Sequence, residues 1–144
     1  MLSLLVALLL LLGSALAALA GEPDQLARGK YVFGATGGCG CHTEPKGAVN
    51  AGGRKYDGPF GMVYSSNITP DPKTGIGSWT DEQIITAIRL GRRPNGERIL
   101  PVHPFTSFNG MAEEDLIALV KFLRSVPPVL PGWRGSARSS WPVG

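Results

Sequence analysis

The sequence predicts an all-α domain in which about three helices are joined by long loops rich in Gly and Pro. Three segments have helical caps and apolar residues at helical spacing. Between them, residues 43–78 contain Gly or Pro every few positions and keep no helical or strand period. Both cysteines of the chain lie in the single run Cys39-Gly40-Cys41-His42. These observations predict helices arranged around a site that the loops enclose.

The N-terminal segment is apolar and uncharged. Residues 1–20 are nearly all Leu, Ala and Val, and they end on Ala18-Leu19-Ala20. An apolar run that ends on small residues is typical of a secretory signal peptide. An uncleaved membrane anchor is the alternative, because about 18 apolar residues can just span a bilayer. In either case we expect the domain, residues 21–128, to lie in the periplasm, with a membrane tether if the segment is retained. Residues 129–144 form a tail rich in Pro, Gly and Ser.

The first predicted helix begins after Asp24, a good N-cap residue, and runs to about Phe33. Gly29 lies inside it, where a glycine is unfavourable by about 1 kcal/mol against Ala. A glycine at that position therefore indicates close approach of another helix. Because the first and last helices flank the domain, we expect these two helices to pack together.

The second and third helices have clearer boundaries. Thr80 and Gln83 form a capping-box pattern, and Gly91 is placed to end the helix that follows. The last helix is predicted from about residue 112 to about 124. Its core stripe falls at i, i+3, i+4 and i+7, namely at Leu116, Leu119, Val120 and Leu123.

The cysteine run carries the chemistry. Two thiols followed directly by His are typical of covalent haem attachment, in which the thiols add to the vinyl groups and the imidazole ligates iron. The usual spacing has two residues between the cysteines, whereas Gly40 alone separates Cys39 from Cys41. Cys41 keeps its usual place beside His42 and is the surer anchor. Attachment through both cysteines and attachment through Cys41 alone both remain open.

A sixth iron ligand must come from far along the chain. His103, the other histidine of the sequence, lies between Pro101 and Pro104 and is the first choice. Met111 is the alternative, and Met62 comes last. A connection as long as residues 43–78 is unusual in a compact domain unless it wraps a large group such as the haem. In that case its apolar residues would contact the ring: Phe60, Met62, Tyr64 and Ile68.

Two other site chemistries compete with haem. Cys39 and Cys41 could form a redox dithiol, but the βαβ context expected for that chemistry is missing from the pattern. A structural zinc site on Cys39, Cys41, His42 and His103 would have ligands too closely spaced for the usual knuckles. No catalytic residue is predicted, and we do not expect an enzyme acting alone.

Several runs together point to a known family. They include Gly38-Cys39-Gly40-Cys41-His42-Thr43, Ser66-Asn67-Ile68-Thr69-Pro70-Asp71, Thr74-Gly75-Ile76-Gly77-Ser78-Trp79, Ala87-Ile88-Arg89-Leu90-Gly91 and Leu123-Arg124-Ser125-Val126-Pro127-Pro128. On these runs the sequence resembles class I c-type cytochromes. It is most similar to small periplasmic ones related to the cytochrome subunits of membrane-bound alcohol and aldehyde dehydrogenases. The resemblance covers most of residues 26–128.

The resemblance implies a cytochrome c fold around one haem c and single-electron transfer between redox proteins. The partners it implies are a dehydrogenase or quinol-oxidising complex on one side and a terminal oxidase or other acceptor on the other. Family members commonly carry Met where this chain has His103, which supports position 103 as the axial site and makes two-histidine ligation plausible.

The charge of the chain fits protein partners rather than nucleic acid. The formal net charge is +3, and a group of arginines surrounds the end of the second helix: Arg89, Arg92, Arg93 and Arg98. Such a group is either a solvated loop or a docking surface for an acidic partner. We expect no nucleic-acid partner.

Overall fold

The computed structural model describes residues 24–129. The predicted signal peptide or anchor and residues 130–144 of the predicted tail lie outside this range. The helices are α1 (Gln25–Ala35), α2 (Asp81–Leu90), α3 (Phe105–Phe108) and α4 (Glu113–Ser125). A short 3₁₀ turn covers Gly38–Gly40, and strands β1 (Lys55–Gly58) and β2 (Gly61–Tyr64) form an antiparallel hairpin.

Two features differ from the predicted architecture. The part of the chain that the structure describes has four helices rather than about three, because a single helical turn, α3, follows Pro104. The predicted loop between residues 43 and 78 contains the hairpin, in which Lys55 pairs with Tyr64 and Gly58 with Gly61. Strands of four residues are too short to show a reliable alternation, so periodicity missed them.

The first and last long helices pack together, as predicted. Gly29 is buried in α1, and a Cβ at that position would overlap the backbone of Ala118 in α4. The same Cβ would lie 2.8 Å from the Cβ of Phe122, whose ring is 5.1 Å from that of Phe33 between centroids. The glycine therefore sets how closely the two helices approach each other.

The predicted caps and core stripe are confirmed. Thr80 and Gln83 form the complete capping box of α2, and Gly91 ends that helix in the left-handed conformation with φ of 61°. The α4 stripe is buried throughout, and all of it except Leu116 belongs to one cluster of buried apolar residues: Val32, Ile76, Ile84, Leu119, Val120 and Leu123. Within residues 24–129, no helix has the length and apolar character needed to cross a bilayer.

The loop that follows the hairpin is held by buried polar groups. The Asn67 side-chain oxygen accepts hydrogen bonds from the backbone and hydroxyl of Thr69, at 2.8 and 2.7 Å. The carboxylate of Asp71 is buried and accepts from the backbone and hydroxyl of Thr74, at 2.6 and 2.7 Å. From α4, the Arg124 guanidinium bonds the carbonyls of this loop and Asp81. Polar groups of the loop itself, together with Arg124, therefore hold the loop in place.

Candidate functional site

The cysteine run lies on a tight turn directly after α1. Gly37 and Gly38 have positive φ values of 101° and 54°, which residues with a side chain adopt at a penalty. The 3₁₀ turn that follows contains the Cys39 backbone. Cys41, just after the turn, is a free and exposed thiol. The glycines before the cysteines therefore provide the unusual backbone path expected for a shortened attachment motif.

Side chains from the first strand region hold the carbonyl groups of this run. The Arg54 guanidinium Nη1 donates to the Gly40 carbonyl at 2.8 Å. Two residues along, the Tyr56 hydroxyl donates to the Cys41 carbonyl at 2.9 Å. Alternate residues of a strand point to the same face, so one face of the hairpin holds two successive peptide groups of the cysteine run.

The imidazole of His42 is oriented by one hydrogen bond. Its Nδ1 lies 2.8 Å from the Ser66 carbonyl oxygen, two residues beyond β2. A carbonyl oxygen can only accept a hydrogen bond, so Nδ1 carries the proton and Nε2 keeps its lone pair. Burial lowers the pKa of His42, although the bond to Ser66 opposes this shift, and the ring is therefore neutral at pH 7. A neutral imidazole whose other nitrogen donates to a carbonyl has the arrangement of a metal-binding histidine.

A glycine allows the Ser66 carbonyl to reach His42. Gly52 donates from its backbone N–H to the His42 carbonyl at 2.7 Å and has φ of 84°. A Cβ on Gly52 would lie 2.6 Å from both the Ser65 oxygen and the Ser66 carbonyl carbon. The backbones on either side of the His42 ring can therefore come together only because residue 52 has no side chain.

The second histidine, His103, is partly buried in the loop that precedes α3. Its ring contacts Phe105 and Phe108, with centroid distances of 6.5 and 5.5 Å. Burial lowers the pKa of His103, while the backbone carbonyl of Ile88, 3.4 Å from Nε2, opposes the shift. A charge on His103 would also lower the pKa of His42, as a smaller contribution than burial.

The alternative ligand, Met111, has a different environment. Its side chain packs against the buried core cluster. Its backbone carbonyl accepts from Arg89 Nη2 at 2.9 Å, and Arg89 Nη1 pairs with Glu113 at 2.9 Å. Met62, the remaining methionine of the described segment, is 54% exposed on β2.

The described residues fit a haem. They supply a free, exposed thiol on Cys41, an adjacent imidazole in the metal-binding tautomer, and a second neutral imidazole from His103. Of the apolar loop residues expected to contact the ring, Ile68 packs against the core, whereas Tyr64 is 44% exposed. Among the side chains that the structure describes, which do not include that of Cys39, no three from His, Cys, Asp or Glu gather into a metal-binding group.

The chain is similar in sequence to subunits of several dehydrogenases and to a dihaem cytochrome. The chain is 46% identical over 106 residues to a subunit of the nicotinate dehydrogenase of Pseudomonas putida, a match that covers 73% of the chain. It is 39% identical over 139 residues to the cytochrome c subunit of the quinone alcohol dehydrogenase of Gluconacetobacter polyoxogenes, covering 88%. It is 34% identical over 114 residues to a dihaem c-type cytochrome of Cereibacter sphaeroides, covering 76%. No family model matches the chain. The chain belongs to the c-type cytochromes.

This cytochrome is related to the cytochrome subunits of dehydrogenases, but it spans a small part of them. The matched segments make up 9% of the nicotinate dehydrogenase subunit, 29% of the alcohol dehydrogenase subunit and 38% of the dihaem cytochrome. The chain therefore matches less than half of the length of each of these relatives.

The sequence did not predict the residues that position the cysteine run. Arg54 and Tyr56 are two positions apart, a spacing that places side chains on one face of a strand, but the strand region they belong to was not predicted. Ser66 acts on His42 through its backbone carbonyl, which any residue type could supply. Arg93 was predicted as part of a basic group, and its Nη2 instead donates to the Ser66 hydroxyl at 3.1 Å. Arg89, another arginine of that basic group, forms an ion pair with Glu113.

Proposed function

We propose that this cytochrome carries one covalently bound haem c and transfers single electrons between redox proteins. The observation that carries the proposal is the hydrogen bond from His42 Nδ1 to the Ser66 carbonyl, directly beside the free thiol of Cys41. This bond leaves Nε2 available for iron in a fixed orientation. When bound, haem supplies the one-electron couple, and the chain anchors it, orients its ligand and limits its contact with water.

Covalent attachment is assigned to Cys41 and Cys39, with Cys41 as the surer anchor. The positive φ values of Gly37 and Gly38 supply the backbone freedom that a single-residue spacing requires. The haem spectrum in alkaline pyridine tests this assignment, because its α band shifts with the number of vinyl groups converted to thioethers. Replacing Cys39 by Ala leaves that band unchanged if Cys41 alone is bonded.

The distal ligand is assigned to His103 in preference to Met111. Burial lowers the pKa of the His103 imidazole and so favours its neutral form, and the ring is partly buried against Phe105 and Phe108. Met111 has an alternative role, because its side chain packs into the core cluster. Two-histidine ligation favours a lower reduction potential than ligation by histidine and methionine.

The donor is proposed to be a dehydrogenase or quinol-oxidising complex, and the acceptor an oxidase or another redox protein. The relatives include subunits of alcohol, gluconate and fructose dehydrogenases, which supports a dehydrogenase partner. The apolar N-terminal segment supports export to the periplasm, with a membrane tether if that segment is retained. The chain itself acts as an electron carrier or as the carrier part of an enzyme complex.

Optical spectroscopy of the exported full-length protein tests the proposal. Reduced protein should show Soret and α bands of a c-type haem, and the haem should stay with the chain after acid–acetone extraction. Oxidised protein should lack the near-infrared band of Met–iron ligation. His103→Ala should change the spin state, whereas Met111→Ala should leave it unchanged, with Met62→Ala as an exposed methionine control. A chain without a Soret band would overturn the proposal.

A further inference from the structure

Arg93 lies in a short turned segment after α2. Its backbone N–H donates to the Glu97 carbonyl, and its carbonyl accepts from Gly96, both at 2.9 Å. Its side chain reaches back across the sequence to the hairpin end, where Nη2 donates to the Ser66 hydroxyl at 3.1 Å. Ser66 thus accepts from Arg93 on its side chain and from His42 on its backbone carbonyl.

The charge of Arg93 is not neutralised by a described acidic residue. Within residues 24–129, the ion pairs formed by arginine side chains involve Arg28, Arg89 and Arg124. Arg93 is half-buried, whereas the neighbouring Arg92 is exposed. A partly buried charge is screened much less by salt than an exposed one.

We propose that Arg93 is a positioning residue that acts through Ser66 on His42 and raises the reduction potential of the site. The inference rests on the proposed function, since it requires iron on His42. Two effects have the same sign. A fixed cation disfavours the oxidised iron, which carries one more positive charge than the reduced iron. It also draws electron density from the Ser66 carbonyl, which weakens the hydrogen bond that makes His42 a stronger donor.

The hairpin holds Ser66 without help from Arg93. Both backbone groups of Ser65 are hydrogen-bonded. Its N–H donates to the Arg54 carbonyl at 2.9 Å, and its carbonyl accepts from the Gly53 N–H at 2.8 Å. The close approach of Gly52 fixes the next peptide group. Replacing Arg93 therefore removes the charge and leaves the Ser66 carbonyl facing His42.

Redox titration of the full-length haem-loaded protein tests this inference. Arg93→Gln should raise the ferric-to-ferrous ratio at a fixed ambient potential by roughly three- to tenfold, a shift of about 30 to 60 mV toward lower potential. Arg93→Lys should keep most of the wild-type potential, because it keeps the charge. The matched control is Arg92→Gln, which removes the same charge from an exposed neighbour. The Arg93→Gln shift should persist in high salt, where that of Arg92→Gln disappears.

Equal potentials for Arg93→Gln and Arg92→Gln would overturn the inference, provided that both variants keep the wild-type Soret band. If Arg93→Gln does not fold, Ser66→Ala takes its place. It removes the anchoring hydroxyl and should shift the potential in the same direction by a smaller amount, and an unchanged potential would overturn the inference. A wild-type protein without a haem spectrum would instead refute the proposed function, so the two failures are distinguishable.

Discussion

His42 donates its Nδ1 proton to the Ser66 carbonyl across 2.8 Å, and this bond joins the cysteine run to the chain that leaves the second strand of the β-hairpin. From the first-strand side of the hairpin, Arg54 and Tyr56 hold the carbonyls of Gly40 and Cys41. Both strands of the hairpin therefore contribute contacts to one short segment, and they do so toward the open end, where the backbones of Arg54 and Ser65 pair. A histidine held in this way has its orientation and tautomer fixed by the protein before any metal is bound.

The close packing at Gly52 should make this position intolerant of a side chain. Gly52→Ala adds left-handed strain and an overlap with the Ser65 and Ser66 backbone. We expect a loss of about 2 to 5 kcal/mol in the free energy of unfolding, measured by urea denaturation, with a weaker Soret band per chain.

Gly61→Ala provides the matched control for Gly52. Gly61 has a similar φ of 81°, but a Cβ there meets no atom within 4 Å. The backbone strain alone should lower the free energy of unfolding by about 1 to 2 kcal/mol. Equal losses at the two positions would contradict the conclusion that the backbone contact matters.

The hydrogen bond of the Tyr56 hydroxyl should stabilise the fold more than that of Tyr64, the second tyrosine of the hairpin. Tyr56→Phe removes the bond to the Cys41 carbonyl, and we expect the free energy of unfolding to fall by about 0.5 to 1.5 kcal/mol. Tyr64→Phe removes a weaker, exposed bond to Met62 Sδ and should change it by less than about 0.5 kcal/mol. Urea denaturation of both variants is the measurement, and a reversed order would refute the assignment.

The parts of the fold that were predictable from sequence have side-chain signatures. The Thr80 and Gln83 capping box, the Gly91 stop and the α4 stripe each require particular residue types at fixed spacings, and each is confirmed. The hairpin has no such signature, because its four-residue strands contain Gly at one end each and keep Met62 and Tyr64 exposed. Its existence depends on backbone pairing between its own two strands, and backbone groups are the same at every residue.

The site was predictable to the same extent. His42 and Cys41 are recognisable because the chemistry requires a thiol and an imidazole side by side. The acceptor for His42 is a backbone carbonyl, which is present at every residue and so leaves no mark in the sequence. The role of Ser66 and its hydrogen bond with Arg93 depend on where the hairpin places Ser66 in the fold.

Asp71 should make stability depend on pH in the acidic range. Hydrogen bonds from the Thr74 hydroxyl, and then from the backbone N–H groups of Thr74 and Lys73, lower the pKa of the Asp71 carboxyl. As the pH falls below about 3.9, the unfolded chain takes up a proton that the folded chain still resists. Stabilisation by Asp71 is therefore complete above that pH and is lost as the pH falls toward the folded-state pKa.

Urea denaturation between pH 7 and pH 3 tests the role of Asp71. Asp71→Asn should be less stable than wild type at pH 7 and should lose less stability than wild type as the pH falls below about 4. Asp57→Asn, an exposed aspartate on β1, is the control and should follow the wild-type curve. Parallel curves for Asp71→Asn and wild type would show that the buried hydrogen bonds do not shift the proton affinity.

The crossing of α1 and α4 offers a test in which two glycines of one helix should respond in opposite directions. Gly29→Ala places a methyl group against the Ala118 carbonyl, and we expect a loss of about 1 to 3 kcal/mol in the free energy of unfolding as the helices separate. Gly34→Ala meets no atom within 4 Å and reduces the entropy of the unfolded chain. It should therefore raise the free energy of unfolding by about 0.4 to 1 kcal/mol. Thermal and urea denaturation of the two variants are the measurements. Two stabilising substitutions would mean that α1 and α4 do not approach as closely as the fold requires.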